Sequence, residues 1–151
     1  MVKVRAANFS DAPYIVEFQI KMALETENLT LTKPVVESGV KAVFDDDAKG
    51  TYYVAEIDGK IAGSLLTTYE WSDWRNGQVL WIQSVFITNN FRGQGVFKKM
   101  YEFIKSTVLD PATDFRGIRL YVDKTNDIAQ KVYEKLGMEN QHYEMYEWMV
   151  Y

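Results

Sequence analysis

The chain contains no cysteine, which excludes disulfides, thiolate nucleophiles and cysteine-held metals. Histidine is nearly as scarce. His142 stands alone, so a zinc site would have to be assembled almost wholly from carboxylates, and no metal is expected. Clustered basic charge is also missing: the formal net charge is -4 and the pI is near 5.1. A phosphate backbone needs a basic surface, so nucleic acid is a poor partner and cationic small molecules suit the chain better. No window approaches the roughly eighteen apolar residues of a membrane span. The stretch from Met1 to Phe18 lacks the basic, apolar and small-residue pattern of an export signal. The expectation is a soluble, cytoplasmic protein that does not enter a membrane.

The chain does carry a globular composition: 151 residues, 47% hydrophobic and 25% charged. That length suits one domain, residues 1–151, burying roughly two thirds of its unfolded surface in one core. Aromatics reach 15%, enough for a dense core or a flat-walled pocket.

Residues Val2 to Ala6 alternate as a strand, and Ser10, Asp11 and Pro13 open a helix. Ile15, Phe18, Gln19, Met22 and Ala23 keep helical spacing, and this helix should end near Glu27. A second helix is expected from Thr32-Lys33-Pro34 through Val36, Val40 and Val43 to Asp45-Asp46-Asp47. Thr51 to Ile57 and Lys60 to Tyr69 read as a hairpin across Asp58-Gly59. Glu70 to Gly77 reads as a polar, aromatic connection ending in Asn-Gly, and Gln78 to Thr88 as the next strand. A helix follows with Val96, Met100, Phe103, Ile104, Thr107 and Val108 on one face, ended by Asp110-Pro111. Ile118 to Val122 reads as a buried strand, and Asn126 to Leu136 as a helix with Ile128, Ala129, Val132 and Leu136 inward, closed by Gly137. Met138 to Tyr151 reads as one or two strands. This order predicts a mixed sheet with helices on both faces.

The richest stretch runs from Ser84 to Lys98: strand, glycine loop, helix start. Free amides at a helix N-terminus carry partial positive charge, and a loop without Cβ atoms lets a diphosphate come close. Arg92 and Lys98 add cationic charge at the rim. A P-loop is excluded, because no Gly-Lys-Ser/Thr is present. The dinucleotide fingerprint also fails, since Lys98 occupies its third glycine position and the loop follows a meander instead of a βαβ unit. Arg-Gly-x-Gly alone also fits a plain turn.

Phe91-Arg92-Gly93-Gln94-Gly95-Val96, followed by Asn126-Asp127-Ile128-Ala129 and Tyr133-Glu134-Lys135-Leu136-Gly137-Met138, resembles the GNAT N-acetyltransferase superfamily. The likeness spans nearly the whole chain, and from the hairpin through Tyr133 it is nearest to the diamine and polyamine acetyltransferases. The resemblance implies an α/β (α+β) fold: a mixed, mostly antiparallel twisted sheet of six to seven strands with about four helices on both faces. It implies acetyl-CoA as cosubstrate, with Arg92, Gly93, Gln94, Gly95, Val96, Phe97 and Lys98 at the pyrophosphate. Val85, Phe86 and Ile87 would pair with the pantetheine arm as an added strand, one of their amides polarising the thioester carbonyl. Asn126 and Ala129 would lie beside the cofactor. Phe97 departs from the small residue usual at its position.

The resemblance makes Tyr133 the general acid that protonates the leaving thiolate. With no cysteine, a covalent acetyl-thiol intermediate has no obvious carrier, and the amine should attack the thioester directly. Gln83 stands where the polyamine enzymes have a glutamate; an amide is no base, but it can orient a water toward Glu25 or Glu27. Trp71, Asp73, Trp74 and Arg75 are acceptor-site candidates, an aromatic wall with charges of both signs. The expected acceptor is a primary amine of a small molecule: a diamine, a polyamine or an amino-acid-like compound. A protein or peptide acetyltransferase and a non-catalytic acyl-CoA sensor are the alternatives. The aromatic-rich ending could pair with a second copy, making a homodimer.

Overall fold

The computed structural model describes residues 1–150. The chain divides into two compact units, one from Met1 to Arg119 and one from residue 120 onward, each described by itself.

The first unit is a five-stranded sheet in sequential order β1-β2-β3-β4-β5. Its strands are β1 (Val2–Ala6), β2 (Thr51–Ile57), β3 (Lys60–Ser72), β4 (Gly77–Ile87) and β5 (Phe115–Arg119). The first three pairings are antiparallel and β4 with β5 is parallel. Three helices belong to this unit: α1 (Ala12–Glu27), α2 (Lys33–Asp45) and α3 (Val96–Leu109). Each starts or ends where local chemistry demands it. Pro13 sits in the first turn of α1 and Asn28 closes it at φ 49°, while Pro34 opens α2.

Adjacent strand residues point to opposite faces, and this distributes the helices. Tyr52 and Val54 of β2 join Ile15, Val16 and Val40 from α1 and α2 in one cluster. Tyr53, one residue on from Tyr52, meets Phe103 of α3, with ring centroids 5.7 Å apart. The two helix layers therefore cover opposite faces. Ile15, Leu65, Met100 and Ile104 are wholly buried, each contributing about 1.5–3 kcal/mol.

Several expectations need correction. The sheet has five strands, not six to seven, because residues 138–150 form no strand. A strand exists only with a ladder partner, and this segment has none. The Glu70–Gly77 connection is mostly strand: Trp71 pairs with Gln78 and Ser72 with Gly77, leaving only a turn. Glu70 belongs to the ladder, where it accepts hydrogen bonds from Trp81 Nε1 at 2.9 Å and Arg119 at 2.5 Å. The strand expected at Ile118–Val122 starts earlier, since Gln78 N–H bonds Asp114 O at 3.0 Å and seats β5 from Phe115.

The second unit carries α4 (Asp127–Lys135), capped by Asn126. Its apolar positions are not all inward: Ile128 and Val132 are exposed, so the helical stripe read from spacing lacks a covering surface there. No helix among the described residues is long and apolar enough to cross a membrane.

Candidate acetyl-transfer site

Strand β4 carries an irregularity that its sequence does not announce. Leu66 pairs with Gln83 but Ser64 pairs with Phe86, so β4 holds one more residue than β3 over this span. The extra residue is accommodated by Ser84 in the left-handed region, φ 55°, a conformation costly for a residue with a Cβ. This bulge turns Gln83 and Phe86, three positions apart, onto the same face. Phe86 stacks on Phe18 of α1 at 5.1 Å, and Gln83 Nε2 donates to Thr68 Oγ1 at 2.7 Å, leaving its carbonyl oxygen as an acceptor.

The parallel partner of β4 stops early. Gln78 to Trp81 pair with β5, and among the described residues no strand takes up the second edge of β4 from Ile82 to Ile87. Backbone amides and carbonyls there are available to an extended ligand. The open edge runs into the glycine loop. Gly93 and Gly95 both sit at φ 75°, and a Cβ built on either meets no atom within 4 Å. Gly95 is the N-cap of α3 without any side-chain cap, so the first-turn amides of α3 have no partner within the helix. Backbone geometry requires glycine here, and the space in front of it is empty: this cradle fits a pyrophosphate. Phe97 tilts toward Tyr101, with centroids 6.3 Å apart, so its ring lies along the helix.

Beside the cradle is a cavity of about 430 Å³ lined by Lys21, Leu24, Glu25, Phe86, Thr88, Asn89 and Asn90. Arg92 ties its walls together. It donates to Ile87 O at 2.8 Å, to Glu25 Oε2 at 2.8 Å, and lies over the Phe86 ring at 5.3 Å. Glu25 is thus ion-paired with a loop cation, which its place near the end of α1 did not suggest. Thr88 Oγ1 is buried with no hydrogen-bond partner, an orphan beside the cavity that a bound polar group would satisfy. Gln94 braces the loop through a 2.9 Å bond to Asn90 O.

The remaining candidates lie elsewhere. Glu27 is exposed at the end of α1 and Lys98 is exposed on α3. Trp71 and the Asp73–Arg75 turn sit at the opposite end of β4, roughly 25 Å along the strand from Ser84 at about 3.3 Å per residue. Asp73 there accepts from Trp74 N at 3.0 Å and Arg75 donates to Ser72 Oγ at 3.2 Å. They are not brought to the cavity. Asn126, Ala129 and Tyr133 belong to the second unit. Asn126 Oδ1 accepts from Ala129 N at 3.1 Å, an N-cap bond, and burial pushes the Tyr133 phenol above its ordinary pKa, keeping it a proton donor at neutral pH. Sequence reading missed Lys21 and Leu24, which carry no motif, and gave no role of their own to Ser84, Thr88, Asn89 and Asn90 within the stretch from Ser84 to Lys98. Among the described residues no group of three potential ligands could hold a metal ion.

Comparison with known proteins identifies the family. The acetyltransferase (GNAT) family model matches residues 20–138. Streptothricin acetyltransferase from Escherichia coli is 29% identical over 93 residues, 62% of this chain and 49% of that protein, so the chain spans about half the length of this curated relative. The crystal structure of a possible acetyltransferase from Clostridium difficile 630 matches with TM-score 0.91 and 39% identity, covering 100% of this chain and 99% of the other. A predicted acetyltransferase with acetyl-CoA from Clostridium acetobutylicum shares the fold at TM-score 0.75 and 16% identity, over 97% and 96% of the two chains. The chain belongs to the acetyltransferase (GNAT) family.

Proposed function

We propose that this protein transfers an acetyl group from acetyl-CoA directly to a primary amine of a small molecule. The observation that carries the reading is the open edge of β4 from Ile82 to Ile87, which leads straight into the Gly93–Gly95 cradle. An extended amide-bearing arm with a diphosphate at one end matches that combination of edge and anion site. The thioester of acetyl-CoA supplies the activated acetyl group. The residues of this chain hold and orient. The first-turn amides of α3 and Arg92 bind the diphosphate, and backbone amides near Ser84 face the developing negative charge on the carbonyl oxygen. Gln83 accepts a hydrogen bond through its free carbonyl oxygen and so orients a water that relays the proton from the attacking amine. Tyr133 holds the proton that the departing sulfur needs.

The cavity beside Glu25 is of a size for a small amine, and Glu25, shared with Arg92, is its one carboxylate, with Glu27 two residues further along α1. A lining that holds a carboxylate, the Lys21 cation and polar Thr88, Asn89 and Asn90 suits a small polar amine, a diamine, polyamine or amino-acid-like acceptor. The deciding experiment measures thiol release from acetyl-CoA against a panel of diamines, polyamines, amino acids, streptothricin and lysine-bearing peptides. Release with a small amine supports the reading. Release with peptides alone makes the chain a peptide acetyltransferase, and binding of acetyl-CoA without release for any acceptor makes it a sensor.

A further inference from the structure

The cavity beside the glycine loop carries one charge of each sign from the same stretch of α1, since Lys21 and Glu25 both line it. Four positions apart on a helix, they are neighbours on one face, with about 5–6 Å between Cβ atoms, and oppositely charged residues at that spacing ordinarily pair with each other. These two do not. Lys21 Nζ turns back to Glu17 Oε1 at 2.6 Å, whereas Glu25 Oε2 is held by Arg92 at 2.8 Å. Glu25 Oε1 carries no hydrogen bond among the described residues. An ammonium has three donors, so Lys21 keeps two beyond the one given to Glu17. Both ion pairs lie at the surface, where such contacts hold weakly and yield to a better partner.

We propose that the acceptor is a diamino acid, an α-amino carboxylate head with a second amine at the end of a short aliphatic chain; this rests on the small-amine reading of the same site. Lys21 takes the carboxylate of the head and Glu25 takes its ammonium. Asn89 and Asn90, also in the lining, add amide donors. The aliphatic chain lies along buried Phe86 and the Leu24 side chain. Phe86 is two residues from Ser84, about 6–7 Å along the strand, a length that a short run of methylenes spans. Because the bulge puts Gln83 on the face of Phe86, the chain-end nitrogen arrives beside the water that Gln83 orients. That nitrogen bonds to the thioester carbon as the carbon–sulfur bond breaks; its proton leaves to the water, and the sulfur takes one up to become free thiol. A polyamine fits less well. Beyond its reacting amine it offers only ammonium groups, one of which Glu25 accepts and the rest of which Lys21 repels.

The test is thiol release from acetyl-CoA by the full chain with L-lysine, L-ornithine, cadaverine and L-lysine amide as acceptors, mass spectrometry locating the acetyl group. L-Lysine or L-ornithine should exceed cadaverine in kcat/KM at least about 10-fold, the worth of a hydrogen bond to a charged group, and should be acetylated at the chain-end nitrogen. Lysine amide, which lacks the carboxylate, should fall to the level of cadaverine. Lys21→Met should cut the preference for lysine over its amide about 10-fold and Lys21→Arg should keep it, a ratio that a merely structural loss would leave unchanged. Both amino acids no better than cadaverine, acetylation at the α-nitrogen, or a preference that survives Lys21→Met would overturn the proposal and leave the small-amine reading standing. Release with none of these small amines, whether or not lysine-bearing peptides are acetylated, would overturn both.

Discussion

Replacing Gly95 separates backbone strain from charge. Its φ of 75° is left-handed, where a residue with a Cβ pays about 1–2 kcal/mol, and Asn and Asp sit at the lower end because they tolerate that region best. Gly95→Asn and Gly95→Asp should therefore each lower Tm by about 2–4 °C in a chain of this size. The aspartate also benefits slightly from the helix N-terminus, so it should not be the less stable of the two. Binding should differ sharply. A carboxylate about 5 Å from a diphosphate, at an effective dielectric of roughly 40–80, is repelled by about 1–2 kcal/mol per phosphate charge. Two charges give about 2–3 kcal/mol, or roughly 30- to 150-fold in Kd. The assay is isothermal calorimetry with acetyl-CoA on both variants, paired with thermal unfolding. Gly95→Asp should lose that factor relative to Gly95→Asn. If the two variants bind alike, the amides at the start of α3 are not the diphosphate site and the cofactor assignment fails.

Tyr133→Phe should keep acetyl-CoA affinity and lower kcat by about 10² to 10⁴ at pH 7, a loss that shrinks at high pH as the thiol, pKa about 8.5, leaves as the anion; wild-type turnover would end its role as acid. Arg5 donates to Asp11 at 2.7 Å and to Glu56 at 2.9 Å, and Asp11 is 5% exposed, so Arg5→Met should cost about 3 kcal/mol in urea unfolding by stranding a buried carboxylate. Because the hydrogen bonds from Arg5 hold the Asp11 carboxyl below its ordinary pKa, that stability is present above about pH 4 and is lost as pH falls further; Arg5→Met should flatten this acid limb. Burial raises the phenols of Tyr52, Tyr53 and Tyr101, so the folded state holds protons the unfolded state releases, and stability should be intact below pH 10 and decline above it, as unfolding at pH 9 and pH 11 would reveal.

Helices α1, α2 and α3 and strand β2 were legible because local signals coincide there: Pro13 and Pro34 in first turns, a run rich in β-branched and aromatic residues at Thr51–Ile57, a stop at Asp110-Pro111. The glycine loop was legible for the same reason, since a left-handed φ leaves glycine as its mark. The bulge was not. Ser84 lies in an ordinary strand sequence, and the extra residue exists only relative to β3, a non-local property no window can contain. The Arg92–Glu25 pair, 67 positions apart, was hidden likewise. Glu70 read as loop because its polar neighbours do, while its partners Trp81 and Arg119 come from other strands. The segment after Met138 has strand-forming residues, and propensity alone does not provide an edge to pair with.

The extra residue at Ser84 has a consequence for how substitutions and deletions along β4 should be understood. Upstream of it, Ile82 pairs with Thr67 and shares that residue's face; downstream, Phe86 pairs with Ser64 and points to the other side. A regular strand would send residues four apart the same way. The bulge thus puts Phe86 on the face opposite Ile82 although four positions separate them. Removing Ser84 would relieve a strained dihedral and straighten the ladder, and because the Leu66–Gln83 and Ser64–Phe86 pairs would then be regularly spaced, Phe86 would keep its place against Phe18. The local gain would be about 1 kcal/mol. A single deletion in the regular ladder between Gly77 and Gln83 has no extra residue to absorb it and reverses every face on one side of the gap, so it should be far less tolerated than deletion of Ser84.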